Sequence, residues 1–451
     1  MATRRLAVRY LSIGLAIVLL NGLAGTAYTA FGPGPLDFAG GRGASGSEYR
    51  GRDPTGVPQS LASASLVERG KYLVRAADCV ECHTADHGTP FTGGRAFVLT
   101  FGTLYSTNIT PDADTGIGKY TDEDFLKAIH KGIRRDSRNL YPAMPYPSYT
   151  YMSDADALAI KAYLFSLPPL HSVTPPNSLI FPFNQRFLLA IWNASFNADR
   201  RYKPNPERSA EWNRGAYLAE ALEHCGECHT PRNPFLSLDN RRKFGGELQA
   251  GWRAYNISTD VETGAGAWKE GELVDYLSRG HSPRRGAATG PMGEAVDEST
   301  SHLDPGDVAA IATYLKSVPA VRAKDLPALR LTDAPASHAE QPNGNASVLG
   351  EAVYAEASAG CHGWTGVSSA LPLATLIGAR SVNDPSGINV AQVIVHGAAP
   401  HPGETTVTMP AFGETYSDRA IANVVNYVTA RFGAVGARLS ANDVAKLRNG
   451  D

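Results

Sequence analysis

The chain repeats itself. "RGKYLVRAADCVECHT" from Arg69 returns as "RGAYLAEALEHCGECHT" from Arg214, and "NITPDADTGIGKYT" from Asn108 returns as "NISTDVETGAGAWK" from Asn256, 148 residues on. "AIKAYLFSLP" from Ala159 and "AIATYLKSVP" from Ala310 close the two copies. A third copy opens at "LGEAVYAEASAGCHG" from Leu349 and ends at "AIANVVNYVTARFG" from Ala420. A period of this kind means that one small unit is used again. A chain of 451 residues also exceeds one ordinary core and suggests about three domains.

Each copy reads as short helices joined by long loops. Tyr72, Leu73 and Ala76, and again Tyr217, Leu218 and Ala221, recur at helical spacing. The middle helix of each copy ends in a basic residue and a glycine: Lys131-Gly132, Arg279-Gly280, His396-Gly397. That is C-terminal capping chemistry, and it assigns His396 to a helix end rather than to a metal. Ser153-Asp154, Asp304 and Ser417-Asp418 are N-cap signals for the closing helices. No segment alternates convincingly enough for a sheet, so the expected class is mainly α.

Four of the five cysteines form two C-x-x-C pairs, each followed directly by histidine. This spacing is that of covalent haem attachment: two thiols on one helical turn add to the porphyrin vinyls, and the next imidazole faces the iron. A zinc knuckle requires a second matching ligand pair, and a redox dithiol requires a βαβ context. The sites are therefore Cys79, Cys82 and His83, then Cys225, Cys228 and His229. In the third copy Cys361 and His362 match Cys82 and His83, while Ser358 stands where the first cysteine belongs. An inert buried cysteine is the plain alternative there. A haem held by one thioether through Cys361 is the expectation, because the methionines agree with it. Met144 in "AMPYP", Met292 in "GPMGE" and Met409 in "TMPAF" sit beside proline after each middle helix. They are the expected sixth ligands, opposite His83, His229 and His362. Met152 matches Thr300 and reads as core. Three haem c groups with His/Met ligation suit electron transfer.

The flanks set the compartment. Arg4, Arg5 and Arg9 precede Leu11 to Phe31, a run of 21 residues without charge. Such a start is a signal peptide or a membrane anchor, and either places the rest on the periplasmic side. The expected division is 1–31 signal or anchor, 32–60 flexible linker, 61–170 first domain, 171–205 linker, 206–320 second domain, 321–345 linker, 346–435 third domain and 436–451 tail. The first inter-domain linker contains "IFPFNQRFLLAIWNASF", which is apolar enough for packing or for a partner or membrane contact. A net charge of −2 argues against nucleic acid as a partner. No nucleophile triad, paired-carboxylate site or nucleotide-binding glycine loop stands out, so no catalytic residue is assigned.

"CVECHT", "YSTNITPD", "YPAMPYP", "CGECHTPR", "GPM" and "MPAF" together resemble the three-haem cytochrome c subunits of membrane-bound bacterial dehydrogenases, from about Leu66 to Phe432. The fold expected is three tandem class-I cytochrome c domains behind an N-terminal signal or anchor helix. The resemblance implies a catalytic dehydrogenase subunit (alcohol, gluconate, sorbitol, fructose or aldehyde-oxidising) as partner, and membrane ubiquinone as acceptor. "CHGWTG" and "VNDPSGINVAQVI" look most like the molybdenum-containing aldehyde-oxidising branch. Ser358 departs from the family pattern and bears on how the third haem is attached. A free periplasmic carrier and a multihaem peroxidase are the alternative functions.

Overall fold

Gly70, Gly215 and Gly350 mark the same event in each copy: the opening helix crosses the closing helix with no room for a side chain. A Cβ on these glycines would overlap the carbonyl oxygens of Ala159, Ala310 and Asn423. The crossing pairs are Leu66–Ala76 with Asp154–Ser166, Ala210–Tyr217 with Pro305–Leu315, and Asn345–Ala357 with Asp418–Phe432. The computed structural model describes residues 33–39, 48–334, 345–369, 371–398 and 408–449.

The local signals hold. Ser65 and Glu68 make a capping box at the first opening helix, and Thr121 and Asp124 make one at the first middle helix, Asp122–Lys131. Ser153, Asp304 and Ser417 each accept a backbone N–H at the start of a closing helix. Gly132 and Gly280 end their helices at φ 62° and 76°. His396 is the last residue of Ile388–His396, followed by Gly397 at φ 77°. The second opening helix carries one residue more before its cysteine than the first, since Gly215 to Cys225 is ten positions and Gly70 to Cys79 nine. The extra residue is absorbed as a π-turn, Leu218–Leu222, with Glu223 N–H donating to Leu218 O at 2.8 Å.

Among the described residues, three short antiparallel sheets accompany the helices. Ala96–Leu99 pairs with Gly102–Tyr105, to which Ser178–Leu179 adds; Glu247–Gln249 pairs with Trp252–Ala254, and His281–Ser282 with Gly286–Ala287. At two to four residues each, they are too short to show a period of two in sequence.

The expected row of three tandem domains is corrected by the packing. One core runs unbroken through the first two copies, from Val57 through Leu73, Ile160, Leu164, Trp212, Tyr217 and Ile311 to Val318. The third copy has its own core, from Ala334 through Tyr354, Ile421, Val425 and Phe432 to Leu447. The first two copies are therefore one body, sealed by a reciprocal exchange. Tyr72 donates to Asp307 of the second copy at 2.6 Å, and Tyr217 donates to Asp156 of the first at 2.5 Å. Fully burying each leucine or isoleucine of such a core contributes about 1.5–3 kcal/mol, which rewards fusing two small cores into one. Among the described residues no helix is long and apolar enough to cross a membrane, and Leu11 to Phe31, where the N-terminal helix was expected, lies outside them.

The second body docks on the second copy. Arg253 N–H donates to Asn389 Oδ1 at 2.8 Å, Asn389 Nδ2 returns a bond to Arg253 O at 2.9 Å, and Tyr255 donates to the buried Asp384 at 3.2 Å. The 171–205 linker holds the helix Leu188–Phe196, and the 436–451 segment holds the helix Ala441–Asn449 with Val444 fully buried.

Candidate functional site

Each Cys-His motif forms a single helical turn: Cys79–Cys82 with His83 next, Gly226–His229, and Ala359–His362. In the first two copies the residue before the first cysteine is left-handed, Asp78 at φ 46° and His224 at φ 38°. This kink separates the turn from the opening helix. The third copy is one residue shorter, with eight positions from Gly350 to Ser358. There the kink is missing, and Ser358 sits at φ −127°.

All three histidines are held in one way. Nδ1 of His83 lies 2.7 Å from the Thr107 carbonyl, Nδ1 of His229 lies 2.6 Å from that of Tyr255, and Nδ1 of His362 lies 2.6 Å from that of Ala374. A carbonyl only accepts, so Nδ1 carries the proton and Nε2 keeps its lone pair for a metal. Burial pushes all three imidazoles below their ordinary pKa, against the opposing pull of these bonds, which favours the neutral ligating form. Burial also pushes the Cys79 thiol up to about 12, opposite to the lowered thiolate of a redox dithiol. Among the described residues no cluster of three His, Cys, Asp or Glu side chains suits a bare metal ion. The donor set fits haem c: paired thiols on one turn, then an imidazole with a free Nε2.

The carbonyl partners carried no sequence signal of their own, being backbone atoms, but the residue after the first two did. Asn108 and Asn256, which open the "NIT" and "NIS" repeats, are buried. Their amides donate to Leu170 O at 2.7 Å and Val321 O at 2.5 Å, and their Oδ1 atoms accept the N–H of Thr110 and Ser258 at 2.9 Å. Each asparagine thus pins the loop that aims the neighbouring carbonyl at the histidine.

The methionines stand on unlike backbone. Met144 lies in the loop before the turn Tyr146–Tyr149, Met292 is the second residue of the helix Pro291–Glu298, and Met409 bridges Ala398 with N···O distances of 2.9 and 3.0 Å. Met144 packs on the same core as Cys79 and Cys225. In the second body Met409 and Ser358 border one apolar cavity with Val353, Ile394, Phe412 and Val424. Met152 is fully buried in the first core, as its sequence position suggested.

The motifs of the fused body are tied across the copy boundary. Glu227, between Cys225 and Cys228, accepts from Ser148 at 2.9 Å, four residues beyond Met144. Arg95 donates to Glu81 O at 3.1 Å and binds Glu294, two residues beyond Met292, at 2.5 Å. Tyr149 donates to Ala77 O at 2.6 Å and meets the His224 ring edge-on at 5.4 Å. Each motif therefore leans on the methionine segment of the other copy.

These features define a c-type cytochrome. Residues 67–168 match the cytochrome c family model, a single segment where three domains were expected. The chain is 40% identical over 380 residues to one of the subunits of the nicotinate dehydrogenase of Pseudomonas putida, covering 82% of this chain but 31% of that much longer protein. It is 38% identical over 403 residues to the gluconate 2-dehydrogenase cytochrome c subunit of Pantoea cypripedii, covering 86% of this chain and 90% of the relative. It is 35% identical over 418 residues to the fructose dehydrogenase cytochrome subunit of Gluconobacter japonicus, covering 88% and 85%. The chain belongs to the family of dehydrogenase cytochrome c subunits.

Proposed function

We propose that the chain is the electron-transfer subunit of a dehydrogenase that faces the periplasm, carrying three haem c groups and passing electrons from a catalytic subunit to ubiquinone. It has no substrate chemistry of its own. The observation that carries this reading is the threefold bond from a histidine Nδ1 to a backbone carbonyl, at 2.7, 2.6 and 2.6 Å. It recurs in the third copy, where one cysteine has gone.

Cys79 and Cys82 would hold the first group and Cys225 and Cys228 the second, while Cys361 would hold the third by one thioether. His83 with Met144, His229 with Met292 and His362 with Met409 would supply the iron ligands. Bound haem of this kind supplies a one-electron Fe(III)/Fe(II) couple of raised potential. The protein's part is to fix the imidazoles by Nδ1, to shield the sites, and to bring the first two motifs together through Glu227–Ser148 and Arg95–Glu294. Export is supported by Arg4, Arg5 and Arg9 ahead of the uncharged run.

The test is purification of the chain from the organism that makes it, with tags on the chain alone. A catalytic dehydrogenase subunit should co-purify, and aldehyde, alcohol, gluconate, fructose or nicotinate, whichever that subunit oxidises, should reduce the haem bands. A chain that purifies alone from gently solubilised cells is a free carrier instead. Reduction halted by hydrogen peroxide with catalytic turnover would point to a peroxidase.

A further inference from the structure

The linker between the first two copies does two things at once. Trp192 Nε1 donates to Phe235 O at 2.7 Å, and Asn193 accepts from the Tyr146 hydroxyl at 2.5 Å, so one side of the helix Leu188–Phe196 is seated on both copies. The outer side of the linker is bare. Ile180 is 60%, Phe181 76% and Phe187 67% exposed, and Ile191 is exposed one turn further on. The hairpin of the first copy joins this face. Phe101 stacks on Phe183 at 4.1 Å, Ile180 N–H donates to Phe101 O at 3.0 Å, and Val98 is 51% exposed.

Residues 96–105 and 173–198 together contain one charged side chain, Arg186, in a chain that is 19% charged. The charges begin at the rim and are mainly arginine. Arg186 lies over the Tyr141 ring at 4.6 Å and donates to Asn139 O at 2.6 Å. Arg134 and Arg138 stand close to it, both around the single carboxylate of Asp136, at 3.6 and 2.7 Å. Two guanidinium groups thus share one acid, with Arg186 nearby, beside an exposed aromatic surface.

We infer that this face, formed by the hairpin tip around Phe101 and the linker from Ile180 to Ile191, lies on an anionic phospholipid bilayer. Exposed aromatic and aliphatic side chains at the tip of a hairpin and on a short helix enter the acyl boundary, while arginines at the rim meet phosphate headgroups. A protein partner would also cover apolar surface, but a patch with a single charged side chain and arginines at its rim suits lipid and its phosphate headgroups better than a polar interface rim. The face deepens the function proposed above and rests on it for its role, since a subunit that hands electrons to a membrane quinone has to lie against the bilayer.

The test uses the full-length holoprotein with vesicles of phosphatidylglycerol and phosphatidylethanolamine, and with phosphatidylcholine vesicles for comparison. Backbone hydrogen exchange read by peptide mass locates the contact whatever else binds lipid. Protection should appear in 96–105 and 180–191 with the anionic vesicles and weaken with phosphatidylcholine. In Phe181→Glu/Phe187→Glu it should vanish, with partitioning reduced about tenfold or more, at unchanged haem spectrum and melting temperature. Arg134→Gln/Arg138→Gln should lose the preference for anionic lipid. Protection of the same peptides only when the catalytic subunit is added, or none while the protein is vesicle-bound or when it fails to bind, overturns the assignment. Substrate-driven haem reduction by the detergent-solubilised complex stays normal in these variants, so loss of lipid contact and loss of the electron-transfer role are read separately.

Discussion

Tyr217 and Asp156 mirror Tyr72 and Asp307, but the two bonds are unequal. Asp307 receives the Tyr72 hydroxyl and also both arms of Arg214, at 2.8 and 2.5 Å. Asp156 receives the Tyr217 hydroxyl at 2.5 Å and the Gly56 N–H at 2.8 Å. Each tyrosine oxygen also accepts the N–H of the other copy's N-cap residue, Asp304 or Ser153. The exchange is what makes two repeats one body.

Tyr72→Phe and Tyr217→Phe should therefore each cost about 1–3 kcal/mol, by leaving a buried carboxylate short of a donor. The loss should be larger for Tyr217→Phe, because Asp307 keeps its arginine fork. Urea denaturation of the holoprotein measures this. Both repeats should melt together in either variant, whereas separate transitions would mean that the shared core does not act as one unit.

The methionines make a second prediction. Met144→Ala, Met292→Ala and Met409→Ala should each remove part of the methionine–iron charge-transfer absorption and lower one midpoint potential. A spectrum unchanged by Met144→Ala would show that the first iron takes its sixth ligand elsewhere.

Stability should depend on pH through the acids buried behind the motifs. Desolvation carries Glu223, which accepts from Ser299 at 2.9 Å, from the ordinary 4.5 up to about 8. It also raises Asp78, beside Glu81, well above the carboxylate range. The folded chain thus holds protons that the unfolded chain releases. The contribution is whole below the unfolded pKa and fades as pH rises from about 4.5 through about 8. Glu223→Gln should flatten that decline and be more stable than the native chain above about pH 8. A decline of the same size in the variant would place its origin in Asp78 or elsewhere.

Much of this was legible in the residues. The turn formed by each Cys-His motif and the basic-glycine helix ends are local chemistry, and local chemistry leaves a local trace. The sharing of a core is not local. Leu73 and Trp212 occupy apolar positions of opening helices, and nothing in that pattern says which neighbour each will face. The carbonyls of Thr107, Tyr255 and Ala374 were invisible for another reason, since every residue has one. The one-residue difference between the opening helices was countable, but its outcome as a π-turn depended on Gly215 and Cys225 both being fixed by packing. Short hairpins such as Glu247–Gln249 with Trp252–Ala254 offer too few residues for any period.

The number of haems per chain tests the account most directly. Iron and alkaline pyridine absorbance should be measured on the purified holoprotein, together with the mass of the peptide that contains Cys361. Three irons are predicted, with a haem mass on that peptide. The pyridine spectrum should mix two ordinary haems with one shifted to longer wavelength, because a single thioether leaves one vinyl intact. Ser358→Cys should remove the shifted component and leave the iron count at three. Two irons per chain, with an unmodified Cys361 peptide, would contradict the account.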